Sequence, residues 1–488
     1  MCFYRLMGIC HSASKSSGNI SGGRSWGLSF RRYSKDTLLH HIGNVLLVLS
    51  IANIVPTIYA LLFEKLFMFK LVMIIETIII YMIGYLLAKK YQPENIGFIE
   101  ALTIMIFAFI IPPFMILFPL MTKGISFIDA LFEGVSSITT TGLSCLSSNT
   151  IDSTVNFLRS YYQWIGGLGI AFFTLTILVS PGSAAYNLYL AHLGKIRISP
   201  LSRKNVLEIL KIYSILTLLA FVTYVVFGMN PYSALINALT TISTGGFSTY
   251  SVFPENLLPV VSFFMFVSAQ PLIMYYMLFK YRREKVFLPQ ITSFVIGILI
   301  GSLLLTLVSG IPPAKSVFEV ISAASTTGYT AIDLMGSRDF ARFVLIVLMI
   351  SGACLGSTGG GIKQLRIIIL FKSFARHIKQ AVSPKGSVLP VKISNEPVQE
   401  DDIRLAYNLL FIYILVLVIS TLLFMIYGYS LSSSLFETAS ALATTGLSVG
   451  LSSPSLAAPL KLVLIIDMWL GRVEVIPFII VFYNLFHR

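Results

Sequence analysis

Ten apolar segments run through this chain, and each is long enough to cross a lipid bilayer as a helix. A spanning helix needs about 20 mostly apolar residues. Charged residues make up only 11% of the 488 residues and hydrophobic residues 56%, whereas soluble domains are roughly a quarter charged. The composition therefore predicts an all-α integral membrane protein with ten transmembrane helices. The segments are 38–63, 66–88, 98–121, 157–179, 207–228, 257–280, 288–309, 340–372, 405–428 and 459–486.

The Lys and Arg residues lie in alternate loops between these segments. One set of loops (1–37, 89–97, 180–206, 280–287, 372–404 and Arg488) holds 23 of them, and the opposite set holds four. Because cytoplasmic loops carry the excess of basic residues, both termini are predicted to be cytoplasmic. The net charge of +14 then reflects orientation in the cell membrane, and we expect no nucleic-acid partner. Residues 1–37 are interpreted as a cytoplasmic tail, with a transit peptide or a misplaced start codon as alternatives.

A short motif recurs four times between the apolar segments. It reads ITTTGLS at 138–144, STGGFS at 243–248, STTGYT at 325–330 and ATTGLS at 443–448. The copies also share two apolar residues further upstream, so they form an internal repeat rather than a coincidence of composition. The aligned T-x-G positions are Thr140, Thr141 and Gly142; Thr244, Gly245 and Gly246; Thr326, Thr327 and Gly328; and Thr444, Thr445 and Gly446.

Each copy follows a run of 12–15 residues, which is too short to cross a bilayer of about 30 Å. We therefore predict four units, each made of a helix, a half-crossing helix, a loop and a second helix. Irregular backbone at membrane depth must be buried or must line a watery cavity. Four such loops can meet around one axis, where their carbonyls replace the water shell of a cation. The alternative is that each T-x-G merely caps a helix C-terminus before a turn.

An acid or an amide stands nine residues before each last glycine, as Glu133, Asn237, Glu319 and Glu437. This position is near the predicted start of each half-crossing helix. A carboxylate there stabilises the helix N-terminus and satisfies its free N–H groups. We interpret the four residues as helix caps, with direct contact to an ion as the alternative.

The apolar run at 340–372 as one helix would be about 50 Å long, well beyond the apolar core of a bilayer. Each glycine costs a helix about 1 kcal/mol relative to alanine. The run is therefore predicted to break into a loop on the cytoplasmic side of the four T-x-G loops, with a permanent packing kink as the alternative. The glycines inside it are Gly352, Gly356, Gly359, Gly360 and Gly361.

Several charged residues also lie within or beside the apolar segments. Arg472 stands near the middle of the last one, where a charge is costly and usually faces a cavity or a partner. Pairing with Glu474 or Asp467 is the structural alternative. Lys363 and Arg366 can be ordinary anchors at a cytoplasmic helix end. Glu76 lies within the second segment, and the sequence indicates no partner for it.

The T-x-G motifs, together with YYQWIGGLGI at 161–170, SGACLGSTGGGIK at 351–363 and MWLGRVE at 468–474, resemble the Trk/Ktr/HKT superfamily of potassium transporters. The resemblance covers residues 38–488. The two extra helices before the first unit are similar to the Trk branch, with its TrkH-type pore subunit. The resemblance implies a homodimer with one pore in each protomer and a cytoplasmic nucleotide-binding ring of RCK subunits as regulator.

The resemblance also implies site roles. Gly356, Gly359, Gly360 and Gly361 correspond to a mobile gating loop, with Arg472 beside it below the filter. In the plant branch, a serine at the first filter glycine accompanies sodium preference. Gly142 and its three counterparts are all glycine, so the resemblance implies potassium. The departure is Gly245, which replaces a threonine and is expected to loosen the second loop.

The chain is thus predicted to contain a cytoplasmic tail (1–37), two additional helices (38–97), four pore units and a linker. The units are 98–185, 205–285, 286–375 with the gating loop, and 405–488, with the cytoplasmic linker at 376–404. We expect potassium-selective uptake, with potassium as substrate, the T-x-G residues as its ligands and no other cofactor. Such flux needs no enzyme chemistry, since the membrane potential drives it. The alternatives are a sodium-permeable protein, a Na⁺- or H⁺-coupled potassium symporter, or a secondary carrier for organic solutes.

Overall fold

A computed structural model describes residues 35–92, 98–146, 151–178, 203–281, 287–384, 387, 389–394 and 396–486. The predicted cytoplasmic tail, except for its last three residues, and most of the basic loop at 180–206 lie outside the described residues. The described chain is helical apart from loops and one short β-ribbon. The prediction of an essentially all-α protein is therefore confirmed.

The first two helices form a hairpin that packs through small residues. α1 covers Lys35–Phe63 and α2 covers Phe67–Lys90. A Cβ added at Gly43 would lie 2.6 Å from the backbone nitrogen of Ala88, and one added at Gly84 would lie 2.9 Å from the carbonyl oxygen of Gly43. Small residues of this kind let two helix backbones approach closely inside a membrane.

Polar side chains on the hairpin join it to the first unit. Asn53 donates to Thr77 at 2.9 Å, and Tyr162 donates to Asn53 at 2.8 Å. Glu76 lies on α2 beside Thr77. Its Oε2 is buried and has no hydrogen-bond partner among the described residues.

Each unit follows the predicted order of a helix, a half-crossing helix, a loop and a second helix. In unit 1 the first helix is divided at Pro112 and Pro113, because proline cannot continue the hydrogen-bond ladder. The helices of unit 1 are α3 (Phe98–Ile110), α4 (Phe114–Met121), α5 (Phe127–Ile138) and α6 (Ser153–Leu178); those of unit 2 are α7 (Arg203–Val226), α8 (Pro231–Ile242), α9 (Leu258–Ser268) and α10 (Leu272–Tyr281); those of unit 3 are α11 (Leu288–Ser309), α12 (Pro313–Ser325), α13 (Asp339–Ser351) and α14 (Gln364–Ala381); and those of unit 4 are α15 (Glu400–Ile426), α16 (Leu431–Leu442), α17 (Ala458–Val473) and α18 (Val475–Phe486).

The half-crossing helices α5, α8, α12 and α16 contain 12, 12, 13 and 12 residues. At about 1.5 Å per residue they are roughly 20 Å long or less, too short to span the membrane. Three of them begin at a side chain that accepts a backbone N–H bond, and the fourth begins with a proline, which favours the first helical position. The three capping residues are Ser126, Asn230 and Ser430, and the proline is Pro313.

The second helix of units 2, 3 and 4 is broken, whereas α6 of unit 1 is continuous. In unit 2, α9 and α10 meet at an angle of 87°. By length and composition, six described helices can cross a membrane, or seven if this bent pair is one crossing. The predicted count of ten whole helices is not reached by this measure. The runs at 340–372 and 459–486 are each divided into two helices, and the segment 157–179 is not among the described helices that meet it.

A short ribbon connects units 3 and 4 within the predicted linker. β1 (Lys392–Ile393) pairs with β2 (Glu396–Pro397) in antiparallel register. Lys372 on α14 donates to the carbonyl of Lys392 at 2.7 Å, and Arg376 on α14 pairs with Glu400 at the start of α15. The described part of the linker is therefore attached to the helices on either side of it.

Candidate functional site

The four T-x-G stretches meet in one closed ring. At each last glycine, an added Cβ would fall on the carbonyl oxygen that precedes the last glycine of the next unit. The distance from the added Cβ to the carbonyl oxygen is 2.2 Å for Gly142 and Gly245, 2.3 Å for Gly246 and Thr327, 2.0 Å for Gly328 and Thr445, and 2.1 Å for Gly446 and Thr141. The contacts run from unit 1 through units 2, 3 and 4 and back to unit 1. These eight residues are called the ring below.

The backbone around the ring is nearly the same in all four units. The last glycines have φ of 91°, 85°, 86° and 92°, which glycine adopts without strain. The threonine two residues earlier is also left-handed, with φ of 54° at Thr140, 53° at Thr244, 55° at Thr326 and 50° at Thr444. Each stretch therefore does end a helix, as the capping alternative predicted, and four such helix ends make up the ring.

The threonine hydroxyls of the T-x-G stretches do not all bond the neighbouring backbone. Thr141 shares a hydrogen bond of 2.8 Å with Thr139, and Thr327 shares one of 2.7 Å with Ser325. Buried polar groups normally have a partner. Three hydroxyls here are buried without one among the described residues, and they belong to Thr140, Thr444 and Thr445.

The acids nine residues before the last glycines do not cap the helices, so that interpretation is wrong. The capping residues are the ones that precede each helix, and all four residues in question stand at the seventh helical position, fully buried. The sequence contained the signal for the true cap in unit 1, where Ser126 accepts from the N–H of Asp129 at 3.2 Å. Serine followed three residues later by an acid is a typical helix start.

Each of the three carboxylates instead binds the backbone stretch that follows the last glycine of its own unit. The N–H donors are Cys145 for Glu133 at 2.7 Å, Ala331 for Glu319 at 2.5 Å, and Val449 and Ser452 for Glu437 at 3.2 Å and 2.9 Å. A hydroxyl joins each of them, from Ser144, Thr330 and Ser448. Unit 2 differs, because Asn237 donates to the carbonyl of Ser233 in its own helix at 2.8 Å.

Glu133 has a further partner that the sequence analysis missed. Arg159 on α6 donates to its Oε2 at 2.6 Å, and the two side chains are 3% and 0% exposed. The guanidinium also lies 4.3 Å from the ring centroid of Phe247, which follows the T-x-G of unit 2. Arg159 therefore connects the stretches that follow the last glycines of units 1 and 2.

A cavity of about 510 Å³ opens on the side of the ring where the stretches that follow the last glycines lie. All four last glycines line it, together with Ser144, Arg159, Tyr329 and Asp333 among others. It gives the ring a broad mouth on one side, with polar and aromatic walls.

The chain between α13 and α14 covers the opposite side of the ring. This stretch, residues 352–363, is called the glycine-rich segment. The N–H of Gly360 donates to the hydroxyl of Thr326 at 2.7 Å, and Thr358 donates to the carbonyl of Ile242 at 3.1 Å. A Cβ added at Gly360 would lie 2.1 Å from the carbonyl oxygen of Ala443. The predicted break is therefore confirmed as a loop, which lies against the ends of three half-crossing helices.

Arg472 holds the glycine-rich segment to the first unit. It donates to the carbonyl of Thr358 at 2.6 Å and to that of Gly166 on α6 at 3.1 Å. The alternative pairing with Glu474 or Asp467 is wrong within the described chain. Glu474 binds another arginine, and Asp467 accepts from Ser420 at 2.8 Å.

Lys363 and Arg366 are not simple anchors at a helix end. Lys363 is buried, has a left-handed backbone with φ of 81°, and donates to the carbonyl of Gly359. Arg366 donates to both carboxylate oxygens of Glu474, at 2.9 Å and 2.8 Å. Both basic residues therefore fix the end of the glycine-rich segment, and Glu474 connects it to the break between α17 and α18.

The chain matches the family model described as "TrkH: Cation transport protein" over residues 72–273 and 285–487. It is 28% identical over 458 residues to an uncharacterized cation transporter of Methanocaldococcus jannaschii, a match that covers 92% of this chain and 96% of that protein. It is 30% identical over 402 residues to the Trk system potassium uptake protein TrkH of Halomonas elongata, covering 76% and 82%. The crystal structure of the potassium transporter TrkH from Vibrio parahaemolyticus has the same fold, with a TM-score of 0.80 at 22% identity over 92% of this chain and 98% of that one.

Proposed function

The chain belongs to the TrkH family of cation transport proteins and is a multi-pass protein of the cell membrane, and from this premise we propose that it is the pore subunit of a potassium uptake system. The observation that carries the proposal is the closed ring. Its four carbonyl oxygens lie side by side with the glycines of the neighbouring units. Such a ring can replace the hydration shell of a cation.

We assign the ion ligands to the T-x-G residues of all four units. Carbonyl oxygens of Thr141, Gly245, Thr327 and Thr445 form the ring, and the hydroxyls without partners at Thr140, Thr444 and Thr445 offer further oxygens. The half-crossing helices end at the ring, and a helix C-terminus carries partial negative charge. All of these features favour a cation over an anion. Potassium is the proposed cation because relatives that match three quarters of the chain are named potassium uptake proteins.

The glycine-rich segment is the proposed gate, with Gly356, Gly359, Gly360 and Gly361 as its mobile residues. It lies across the side of the ring opposite to the cavity, and Arg472 holds it by a backbone carbonyl. An arginine in this place also repels a cation that leaves the ring. Opening then requires the segment to release Thr326 and Arg472 and to move aside.

By the distribution of basic loops, the gate faces the cytoplasm, the cavity faces outward, and both termini are cytoplasmic. This orientation suits inward flux, because the membrane potential contributes about 2.3 kcal/mol per charge per 100 mV. The resemblance to Trk proteins supports two partners, a second copy of the chain in a homodimer and a cytoplasmic RCK-type nucleotide-binding regulator.

The test is growth of a potassium-uptake-deficient strain at low potassium, with the chain expressed together with its regulatory subunit. Rescue is the expected outcome, and absence of rescue with confirmed membrane expression contradicts the proposal. Flux measurements in vesicles with competing sodium separate a potassium-selective pore from a sodium-permeable one. Uptake that requires a sodium or proton gradient would instead support the symport alternative.

A further inference from the structure

The second unit of the ring contains Gly245 where the other three units have threonine, and the structure gives the reason. A Cβ added at Gly245 would lie 2.3 Å from Oε1 and 2.4 Å from Cδ of Gln163. Heavy atoms that are not bonded to each other cannot approach so closely, so a threonine there would displace the Gln163 side chain from its observed position. The glutamine side chain thus occupies the space that a threonine side chain would need.

Gln163 lies on α6 of the first unit and is completely buried. Its Nε2 donates to the carbonyl oxygen of Gly245 at 2.5 Å, and its Oε1 accepts from the N–H of Phe247 at 3.3 Å. The two bonds bracket Gly246. They also fix the orientation of the amide, because the reversed amide would place oxygen against oxygen and nitrogen against N–H.

This contact makes the ring unequal. The carbonyl of Gly245 corresponds to those of Thr141, Thr327 and Thr445. Within the described residues, the other three carbonyls accept no hydrogen bond, while that of Gly245 accepts one from a buried amide. A hydrogen bond to one ring carbonyl restrains the position of its oxygen and weakens the attraction of that oxygen for a cation.

We propose that Gln163 is a positioning residue for ion selectivity, which holds the second-unit carbonyl at a fixed place in the ring and which requires glycine at position 245. The inference rests on the proposed function of the ring. A smaller cation such as sodium needs its oxygens closer than potassium does, so a carbonyl tied from behind cannot follow sodium inward. Gly245 without this bond has the conformational freedom of any glycine, and the ring then adapts to sodium.

The first test compares Gln163→Met with the wild type in vesicles, by potassium and sodium flux measured under the same gradient. Methionine has a similar length and fills the space, but it cannot donate a hydrogen bond. The potassium-to-sodium flux ratio is expected to fall by roughly three- to tenfold, the effect of one lost hydrogen bond. Tyr161→Phe is the control, because Tyr161 lies on the same helix and donates to Ala52 at 3.0 Å, away from the ring. An unchanged ratio in Gln163→Met overturns the inference.

A second pair of variants tests the fit between the two residues, even where Gln163→Met does not reach the membrane. Gly245→Thr alone is expected to lose potassium flux, because the new side chain overlaps Gln163. Gln163→Ala combined with Gly245→Thr is expected to restore flux, since the second unit then resembles the other three. Equal flux in the single and double variants overturns the inference.

The two proposals fail in different ways. If the wild type carries no potassium, the proposed function fails, and the inference with it. If the wild type carries potassium selectively and Gln163→Met keeps the same ratio, only the role of Gln163 fails.

Discussion

The ring and the glycine-rich segment lie against each other but are built in opposite ways. In the ring, the same contact occurs four times. Each last glycine packs against a carbonyl of the next unit, and a Cβ added to the glycine would lie only 2.0–2.3 Å from the carbonyl oxygen. Within the described residues, no other unit has a glycine-rich stretch of this length in its second helix, since the breaks in units 2 and 4 contain only three residues and one residue. It is held at the ring by single hydrogen bonds, from Gly360 to Thr326 and from Arg472 to Thr358.

In the proposed function, this difference separates selection from gating. Every quarter of the ring lies between two others, so none can shift without moving its neighbours. Buried carboxylates also hold the stretches that follow the ring residues in units 1, 3 and 4. As the proposed gate, the segment leaves by breaking these bonds and those that it makes with Ile242, Ala269 and Leu272 of unit 2, while the contacts between the quarters stay in place. Repetition thus suits a part that must stay rigid, and a single copy suits a part that must move.

The largest expected effect comes from breaking the repetition with Gly446→Ser. A Cβ at this position would lie 2.1 Å from the carbonyl oxygen of Thr141, and the backbone has φ of 92°. Strain at such a position alone costs about 1–3 kcal/mol, and the overlap adds to it by pushing apart units 4 and 1. We expect potassium selectivity over sodium to fall by about a hundredfold or more, since every 1.4 kcal/mol is about a factor of ten, as measured by competitive flux.

Gly428→Ser is the matched control for this variant. Gly428 lies in the same unit with φ of 90°, and a Cβ there would meet nothing within 4 Å. It therefore carries the backbone strain without the overlap. If both variants lowered selectivity equally, the contact between units 4 and 1 would not be what determines it.

The next effect concerns the carboxylates that support the ring. Glu133→Gln removes the charge that balances the buried Arg159. Breaking a buried ion pair typically costs 3–5 kcal/mol, about as much as a large core truncation. We expect the free energy of unfolding to fall by a corresponding amount, and denaturant titration in detergent measures this loss.

Glu437→Gln provides the comparison for Glu133→Gln. Glu437 binds the stretch that follows the last glycine of unit 4, through N–H and hydroxyl donors. No basic residue pairs with it among the described residues. A glutamine keeps an acceptor there, so the loss should be clearly smaller. Equal losses in the two variants would mean that Arg159 contributes nothing beyond the hydrogen bonds.

On the other side of the comparison, Arg472→Ala releases the glycine-rich segment. It removes two buried bonds from a charged donor, each worth about 1.5–3 kcal/mol. Basal potassium flux without regulator should rise by about tenfold to a hundredfold, and deletion within 359–361 should act in the same direction. Lys461→Met is the control, because Lys461 lies on the same helix and binds Asp129 at 2.5 Å instead. Unchanged basal flux and regulation in Arg472→Ala would remove the gate assignment.

The sequence predicted best those features that depend on the backbone. The last glycines and the break in 340–372 could be located because glycine and segment length constrain the chain wherever it folds. The unit boundaries and the cytoplasmic orientation stay predictions, as do the dimer and the regulator.

Contacts between distant side chains could not be predicted in the same way. Gln163 and Gly245 are 82 positions apart, and nothing in either local stretch indicates that they touch. Gly245 departs from the repeat, but the expectation that it loosens its loop does not account for the Gln163 side chain, which fills the space beside it. The prediction that the acids cap the helices is wrong because a distance from the glycine does not determine where a helix begins.

The smallest effect expected is that of Glu474→Gln, which tests how firmly the end of the glycine-rich segment is fixed. Glu474 accepts both bonds from Arg366, and its side chain is 31% exposed. A pair with this exposure is worth about 1 kcal/mol or less, so basal flux should rise by about twofold to fivefold. Glu400→Gln is the control, since Glu400 pairs with Arg376 on the same helix α14, outside the segment. If Glu474→Gln raised flux as much as Arg472→Ala, the segment would be held mainly at its end rather than by the arginine beneath the ring.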